Sequence, residues 1–269
     1  MNVLSRVRAC GAMLGAALIV AVMASTAAAQ TVEEVIAKNI KAQGGKEALL
    51  GLKALQRKGD VKVDGTFGQM EGTIQEALIP WKKARRSLDL AVFVQDDGYD
   101  GKVAWRDGMM GLQELEGEEA VQIKLAIELN PFVRMAENEL KAEKLADETV
   151  DGVDYYVVQL TPKERPPIKV FVNKKDDQIN RTMVTQNHPQ FGMIDILSEA
   201  SAYEKFGPVT LATKNKVTLG ELFQFETTYT ETKTDGEIDE SIFDMPKAAA
   251  ADAPADDAKK DDAPKKDDK

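Results

Sequence analysis

The stretch DDGYDGKVAWRDG, Asp96 to Gly108, gathers side chains that enzymes use: clustered carboxylates, a Tyr, a Trp, an Arg and three glycines. Converging carboxylates would suit general acid–base work or cation ligation. Their spacing argues for a turn instead. Gly98-Tyr99-Asp100-Gly101 falls between two strand-like runs, VFVQDDG and KVAWRD, and Asp-Gly favours the positive φ of a hairpin. Asp97-Gly98 and Asp107-Gly108 repeat that chemistry. Asp96/Asp97 and Glu118/Glu119 are adjacent pairs, and adjacent strand residues point to opposite faces. Trp105 is then a strand residue facing the core or a cavity.

Other chemistries fare no better. His188, in TQNHPQFG, is the one histidine, and the flanking Pro and Gly predict a loop. A multi-histidine metal site is excluded, and a hydrolase would have to use His188 without a Gly-x-Ser-x-Gly elbow. GGKE at Gly44 to Glu47 lacks the earlier glycine and the Ser or Thr of a phosphate loop. No His-Glu-x-x-His, dinucleotide fingerprint or EF-hand loop is present. The Asn180-Arg-Thr sequon matters only in a cell that glycosylates its exports. The reading therefore assigns no catalytic residue, no metal and no cofactor. The formal charge of −10 and pI near 4.9 make nucleic acid an unfavourable partner. The one basic run, Lys82-Lys83-Ala84-Arg85-Arg86, reads as a solvated strand face, with contact to anionic lipid headgroups as the alternative.

The chain ends carry their own signals. Arg6 and Arg8 precede the apolar run ACGAMLGAALIVAVMA, and Ala27 and Ala29 fit the small-x-small rule. Residues 1–29 read as a Sec-type signal peptide cut between Ala29 and Gln30, which predicts export to the periplasm. Cys10, the sole cysteine, would leave with it, so the mature protein would carry no disulfide and no thiolate. Residues 248–269 hold only Ala, Asp, Lys and Pro and read as a disordered tail. One domain over 30–247 is expected between them.

Within that domain the period changes twice. Thr31 and Glu34 have capping-box spacing, Val32, Val35, Ile36 and Ile40 share a helical face, and Gly44-Gly45 stops the helix. KEALLGLKAL predicts a short second helix. From Gln56 the period is two, in VKVDG, GTIQEALIP, RRSLDLAVFVQ and KVAWRD. Helical spacing returns near Val121, Leu125 and Ile127, before Pro131. Strands then resume from KAEKLADETV through VDYYVVQLT, IKVFVNK and QINRTMVTQ to MIDILSEASAYEKF, VTLATKNKVTL and LFQFETTYTETK. Short turns between about 10–11 strands imply a mainly antiparallel sheet. The fold class is α+β: a strongly curved, open β half-barrel with a few helices covering its concave face. Met70, Met109, Met110, Met135, Met183 and Met193 are spread through it, as core filling or as the lining of an adaptable apolar pocket.

The helix–Gly-Gly–short helix–LKALQRKGDV opening, the hairpin DGYDGKVAW, and the closing Ile242-Phe243-Asp244-Met245-Pro246 resemble exported proteins of the outer-membrane lipoprotein-sorting type, the LolA/LolB-like superfamily of periplasmic lipoprotein carriers. The resemblance spans most of residues 31–246 as a pattern. It implies an apolar cavity between sheet and helices that holds acyl chains, and transfer of cargo between envelope membrane proteins without covalent chemistry. Burying each CH₂ contributes roughly 0.8 kcal/mol, so a lipid of several chains could bind firmly. No family arginine or loop residue is matched here, so none is carried over, and the charged tail departs from the family pattern.

Two functions follow as expectations. The first is a periplasmic binding or carrier protein for lipids or acylated lipoproteins. Its candidate ligand-binding residues are the large apolar side chains on predicted strands or rims: Trp81, Phe93, Trp105, Met183, Phe191, Met193, Phe223 and Phe225. By strand parity Phe223 and Phe225 share one face, Leu222 and Gln224 the other. The second is an envelope protein–protein interaction module that keeps the fold without lipid cargo.

Overall fold

The computed structural model describes residues 30–247 apart from 67, 164 and 189–191. The expected signal peptide with Cys10, the expected 248–269 tail and Phe191 therefore lie outside the described residues. Helix α1 (Val32–Ala42) begins with the expected capping box: the Thr31 hydroxyl accepts from Glu34 N at 3.2 Å, and the Glu34 carboxylate accepts from Thr31 N at 3.0 Å. It stops at Gly44, whose φ of +111° and contact with the Pro208 carbonyl leave no room for a Cβ. Helix α2 (Lys46–Gly51) follows.

The chain then forms β1 (Leu55–Gly65), β2 (Gly68–Ile79), β3 (Lys83–Asp89), β4 (Val94–Tyr99), β5 (Ala104–Asp107) and β6 (Gln113–Leu115). Helix α3 (Gly117–Leu125) separates these from β7 (Lys141–Lys144), β8 (Glu148–Val150), β9 (Val153–Thr161), β10 (Ile168–Asn173), β11 (Ile179–His188), β12 (Gly192–Phe206), β13 (Val209–Leu219) and β14 (Phe223–Lys233). A 3-10 turn, Glu240–Phe243, closes the described chain.

All strands join one antiparallel sheet in the order β6-β5-β4-β3-β2-β1-β14-β13-β12-β11-β10-β9-β7, with β8 paired to β9. The sheet is open and curved, an α+β half-barrel. It has 14 strands among the described residues, against the expected 10–11. The difference has local causes. RRSLDLAVFVQ is not one strand: Asp89 Oδ1 accepts from Ala91 N, and Ala91 adopts φ +64°, which turns the chain. KAEKLADETV divides into β7 and β8, and the three-residue β6 is too short to show a period. The sheet's outermost strands, β6 and β7, are three and four residues long, which leaves little free edge for another chain to extend. His188, expected in a loop, has its backbone at the end of β11.

Register and alternation assign the two faces. Leu55, Arg57, Gly59, Val61 and Val63 share one face of β1, and Leu55 packs with Leu49, Leu52, Leu78, Val209 and Leu211 beneath α2. This is the concave face. Helix α1 packs on its other half through Val35 against Val158, Leu160, Val170 and Val172. A buried polar knot fixes α1 there: Asn130 Nδ2 donates to Asn39 Oδ1 at 2.7 Å and Gln43 Oε1 at 2.8 Å.

The turn between β3 and β4 folds over this face at Gly72. A Cβ on Gly72 would lie 1.8 Å from the Asp89 carbonyl oxygen, so only glycine lets that backbone close. Gly72→Ala is expected to cost about 1–3 kcal/mol and to release the turn, visible as a lower midpoint in denaturant unfolding. An unchanged midpoint would refute the close approach.

Candidate functional site

The concave face divides into two apolar regions with a charged belt between them. One lies under α1 and α2. The other carries no helix among the described residues: Val61 and Val63 of β1 pack with Leu90, Met70, Leu88, Phe93 and Phe225. The register continues this face through Phe223 to Leu219, Val217 and Ile196 on β13 and β12, all only part-buried. Phe223 and Phe225 stand 6.4 Å apart at a tilt of 39° and form one wall. The Phe223 ring covers Gly65, where a Cβ would lie 2.4 Å from it.

The belt crosses six strands. Tyr229 on β14 donates its hydroxyl to Glu76 Oε2 at 2.9 Å, and Arg57 on β1 lies 3.9 Å over the Tyr229 ring while pairing with Glu76 on β2 at 2.8 Å. The register shift between Lys58 and Gly59 brings Tyr229 into this row, and Gly59 fits flush against the Thr228 carbonyl. Next to Glu76 comes Arg86 on β3, which pairs with Asp97 on β4 at 2.6 Å. Arg106 on β5 meets the other Asp97 oxygen at 2.7 Å and reaches Glu119 on α3 at 3.1 Å. Helix α3 is seated by Ala120 and Ile123 against Ala104 and Leu115, and its Gln122 donates to Gln186 on β11 at 3.2 Å. The belt thus runs round the inside of the half-barrel from β14 to α3 and on to β11.

Asp97 is its anchor, with 2% of its side chain exposed. Burial alone would raise its carboxyl, but Arg86 and Arg106 outweigh that and hold it below its ordinary range. Burial likewise opposes the charge on Arg57, and Glu76 more than restores it. Burial also raises the Tyr229 hydroxyl, with Glu76 adding to it, so this group stays protonated.

The basic run is corrected accordingly. Arg86 is in the belt, Arg85 pairs with Asp96 at 2.9 Å, and Lys83 pairs with Glu240 at 2.8 Å. The Asp97-Gly98 pair is no turn. Both lie in β4, and Gly98 is required because a Cβ there would meet the Trp105 indole at 2.2 Å. The true turn is Asp100 to Val103, where Asp100 Oδ1 accepts from Lys102 N and Val103 N.

Of the eight predicted lining residues, Phe93, Phe223 and Phe225 come together on the helix-free concave region. Trp81 lies at the opposite, helical end, with its Nε1 donating to the Leu49 carbonyl at 3.2 Å beside a recess of ≈ 470 Å³ shared with Leu50, Leu52, Pro80 and Arg134. Three are corrections. Trp105 turns to the convex face, fully buried, and donates to the Phe243 carbonyl at 2.9 Å under the closing 3-10 turn. Met183 also faces outward, packed with Tyr155, Val157 and Phe171 beneath β8. Met193 falls on the outer parity of β12 and is 68% exposed. Sequence reasoning missed Val61, Val63, Leu88, Val217 and Leu219 and the whole belt. Counting register from Phe225 through Val63 and Met70 would have found the apolar members.

No family model matches the chain, and no curated protein matches it. Solved structures do resemble it. A LolA superfamily protein from Nitrosomonas europaea superimposes with a TM-score of 0.55 at 13% identity, covering 80% of this chain and 98% of that one. A DUF1329 family protein from Desulfovibrio piger gives 0.57 at 12%, covering 80% and 98%. An outer-membrane lipoprotein-sorting domain, so assigned in Vibrio parahaemolyticus, gives 0.54 at 8%, covering 78% and 94%. At these identities the likeness speaks for architecture alone, and on it the chain has the LolA-like fold.

Proposed function

We propose that this protein is an exported, periplasmic binding or carrier protein for lipids or acylated lipoproteins, working without a catalytic step. The observation that carries this reading is the helix-free half of the concave face. There, Phe225, Val217 and Leu219 are part-buried and share one face of β14 and β13 as an apolar wall, with Phe223 beside Phe225. Acyl chains are the chemistry such a wall accepts, since the gain grows with apolar area removed from water and needs no directional contact. The lipoprotein-sorting and LolA superfamily names of its structural neighbours support the same reading.

Native mass spectrometry of the protein purified gently from its own envelope, with lipid extraction alongside, tests it. The expected result is stoichiometric lipid or acylated peptide, and uptake of a fluorescent fatty-acyl probe by the stripped protein. A bare protein that also refuses the probe overturns the carrier reading. A second reading rests on other residues. Val92, Met109 and Met110 are 74%, 86% and 84% exposed on the turns that follow β3 and β5. Such exposed apolar side chains suit an envelope interaction module, and that reading takes over if no lipid binds.

A further inference from the structure

The belt and the apolar wall together specify more than a greasy surface. Along β1 the wall runs from Val63 to Val61, and the same face then carries Arg57. An acyl chain lying on the wall therefore ends, on its inner side, against guanidinium groups rather than against the helices. Arg57 Nε is buried with no acceptor among the described residues, an uncommon state for a charged donor. Arg86 commits NH2 to Asp97 yet keeps 46% of its side chain exposed on the concave face, so its remaining donors are open to a ligand. The charge is also uneven. Within the sheet three arginines, Arg57, Arg86 and Arg106, face two carboxylates, Glu76 and Asp97. The third carboxylate, Glu119, sits on α3 with 65% of its side chain exposed, where water screens it.

We propose that this stretch of belt is a head-group site, and that the cargo is an anionic amphiphile whose carboxylate or phosphate is held by Arg86 and Arg57 while its chain lies on the Phe223–Phe225 wall. The inference rests on the carrier reading above and names the chemical class of its ligand. A guanidinium offers paired donors at the spacing of two oxygens of one anion, and a charged hydrogen bond in a partly dry trough is stronger than a neutral one.

Oleate and oleyl alcohol separate the two parts of the claim, because they share a chain and differ in head-group charge. With the native full-length protein, oleate is expected to bind at least about tenfold more tightly than oleyl alcohol. Arg86→Gln should bring the two affinities together by weakening oleate, and Arg86→Lys should keep much of the preference. Melting curves of each variant confirm folding, and the native comparison decides the matter without any variant. Equal affinity of native protein for acid and alcohol overturns the head-group site and leaves the carrier reading intact. Inorganic phosphate alone displacing oleate at comparable concentration also overturns it, because the site would then read a free anion. Binding of neither amphiphile removes the carrier reading and this inference with it.

Discussion

Replacing Asp97 by alanine is expected to cost about 3–5 kcal/mol, the usual penalty for removing one partner from a buried ion pair. Asp97 is 2% exposed and is shared by two arginines, at 2.6 and 2.7 Å, so its loss leaves Arg86 without its carboxylate and Arg106 with the exposed Glu119 alone. In a domain of this size that corresponds to a fall in melting temperature on the order of 10 °C. A change of less than about 1 kcal/mol, typical of surface pairs, would show that the belt is solvated. The same carboxyl sets an acid limit. Its folded value is depressed below the ordinary 3.8 by Arg86 and Arg106. Its contribution is therefore complete above that value and is lost as pH falls below it through the folded value. Thermal melts from roughly pH 6 down to pH 2 should show this loss in the native protein and a flatter profile in Asp97→Asn.

The second large effect lies on the other face. Phe243→Ala is expected to cost about 3–5 kcal/mol, as for other fully buried aromatic truncations. Phe243 is 0% exposed and sits in the 3-10 turn that closes over Trp105. The turn is held from several sides: Trp105 Nε1 donates to the Phe243 carbonyl, Arg85 to the Ile242 carbonyl at 3.3 Å, and Lys83 pairs with Glu240. The chain has two tryptophans, so in a Trp81→Phe background emission reports Trp105 alone. Loss of Phe243 should move that emission to longer wavelength. Unchanged emission together with unchanged stability would mean that the turn does not seal the indole.

Much of the architecture was legible because local rules and packing agree. Thr31 and Glu34 announced the start of α1, Gly44 and Gly45 its end, and the period-two runs gave most strands. The site was less legible, and the reason is parity. Size and apolarity selected Trp105 and Met183, but those properties serve the convex face equally well here: each is covered by an element distant in the chain, the 3-10 turn or β8. The belt was hidden for a different reason. Its members are spaced far apart in the chain, on strands whose register is set only once neighbours pair. Read locally, Asp97-Gly98 is a turn and Arg85-Arg86 a solvated run. Read across the sheet, Gly98 makes room for an indole and Arg86 neutralises Asp97.

The strand order carries a last consequence, for how the molecule assembles. Strands β1 to β6 form one meander and β7 to β14 another, and every pairing within each joins strands adjacent or next but one in the chain. The β1–β14 pairing is the exception: it sets Gln56 beside Lys233 and Gly65 beside Phe223. Each meander can zip from its own turns, whereas this seam must close nearly the whole length of the domain. Folding speed should follow that one closure, since late, non-local pairing is what slows β-rich proteins. The seam is also where Arg57 meets Tyr229 and where Val63 meets Phe225. The first meander carries the ion pairs of the belt and the second carries Phe223, Phe225, Val217 and Leu219, so closing the seam is what sets belt and wall side by side.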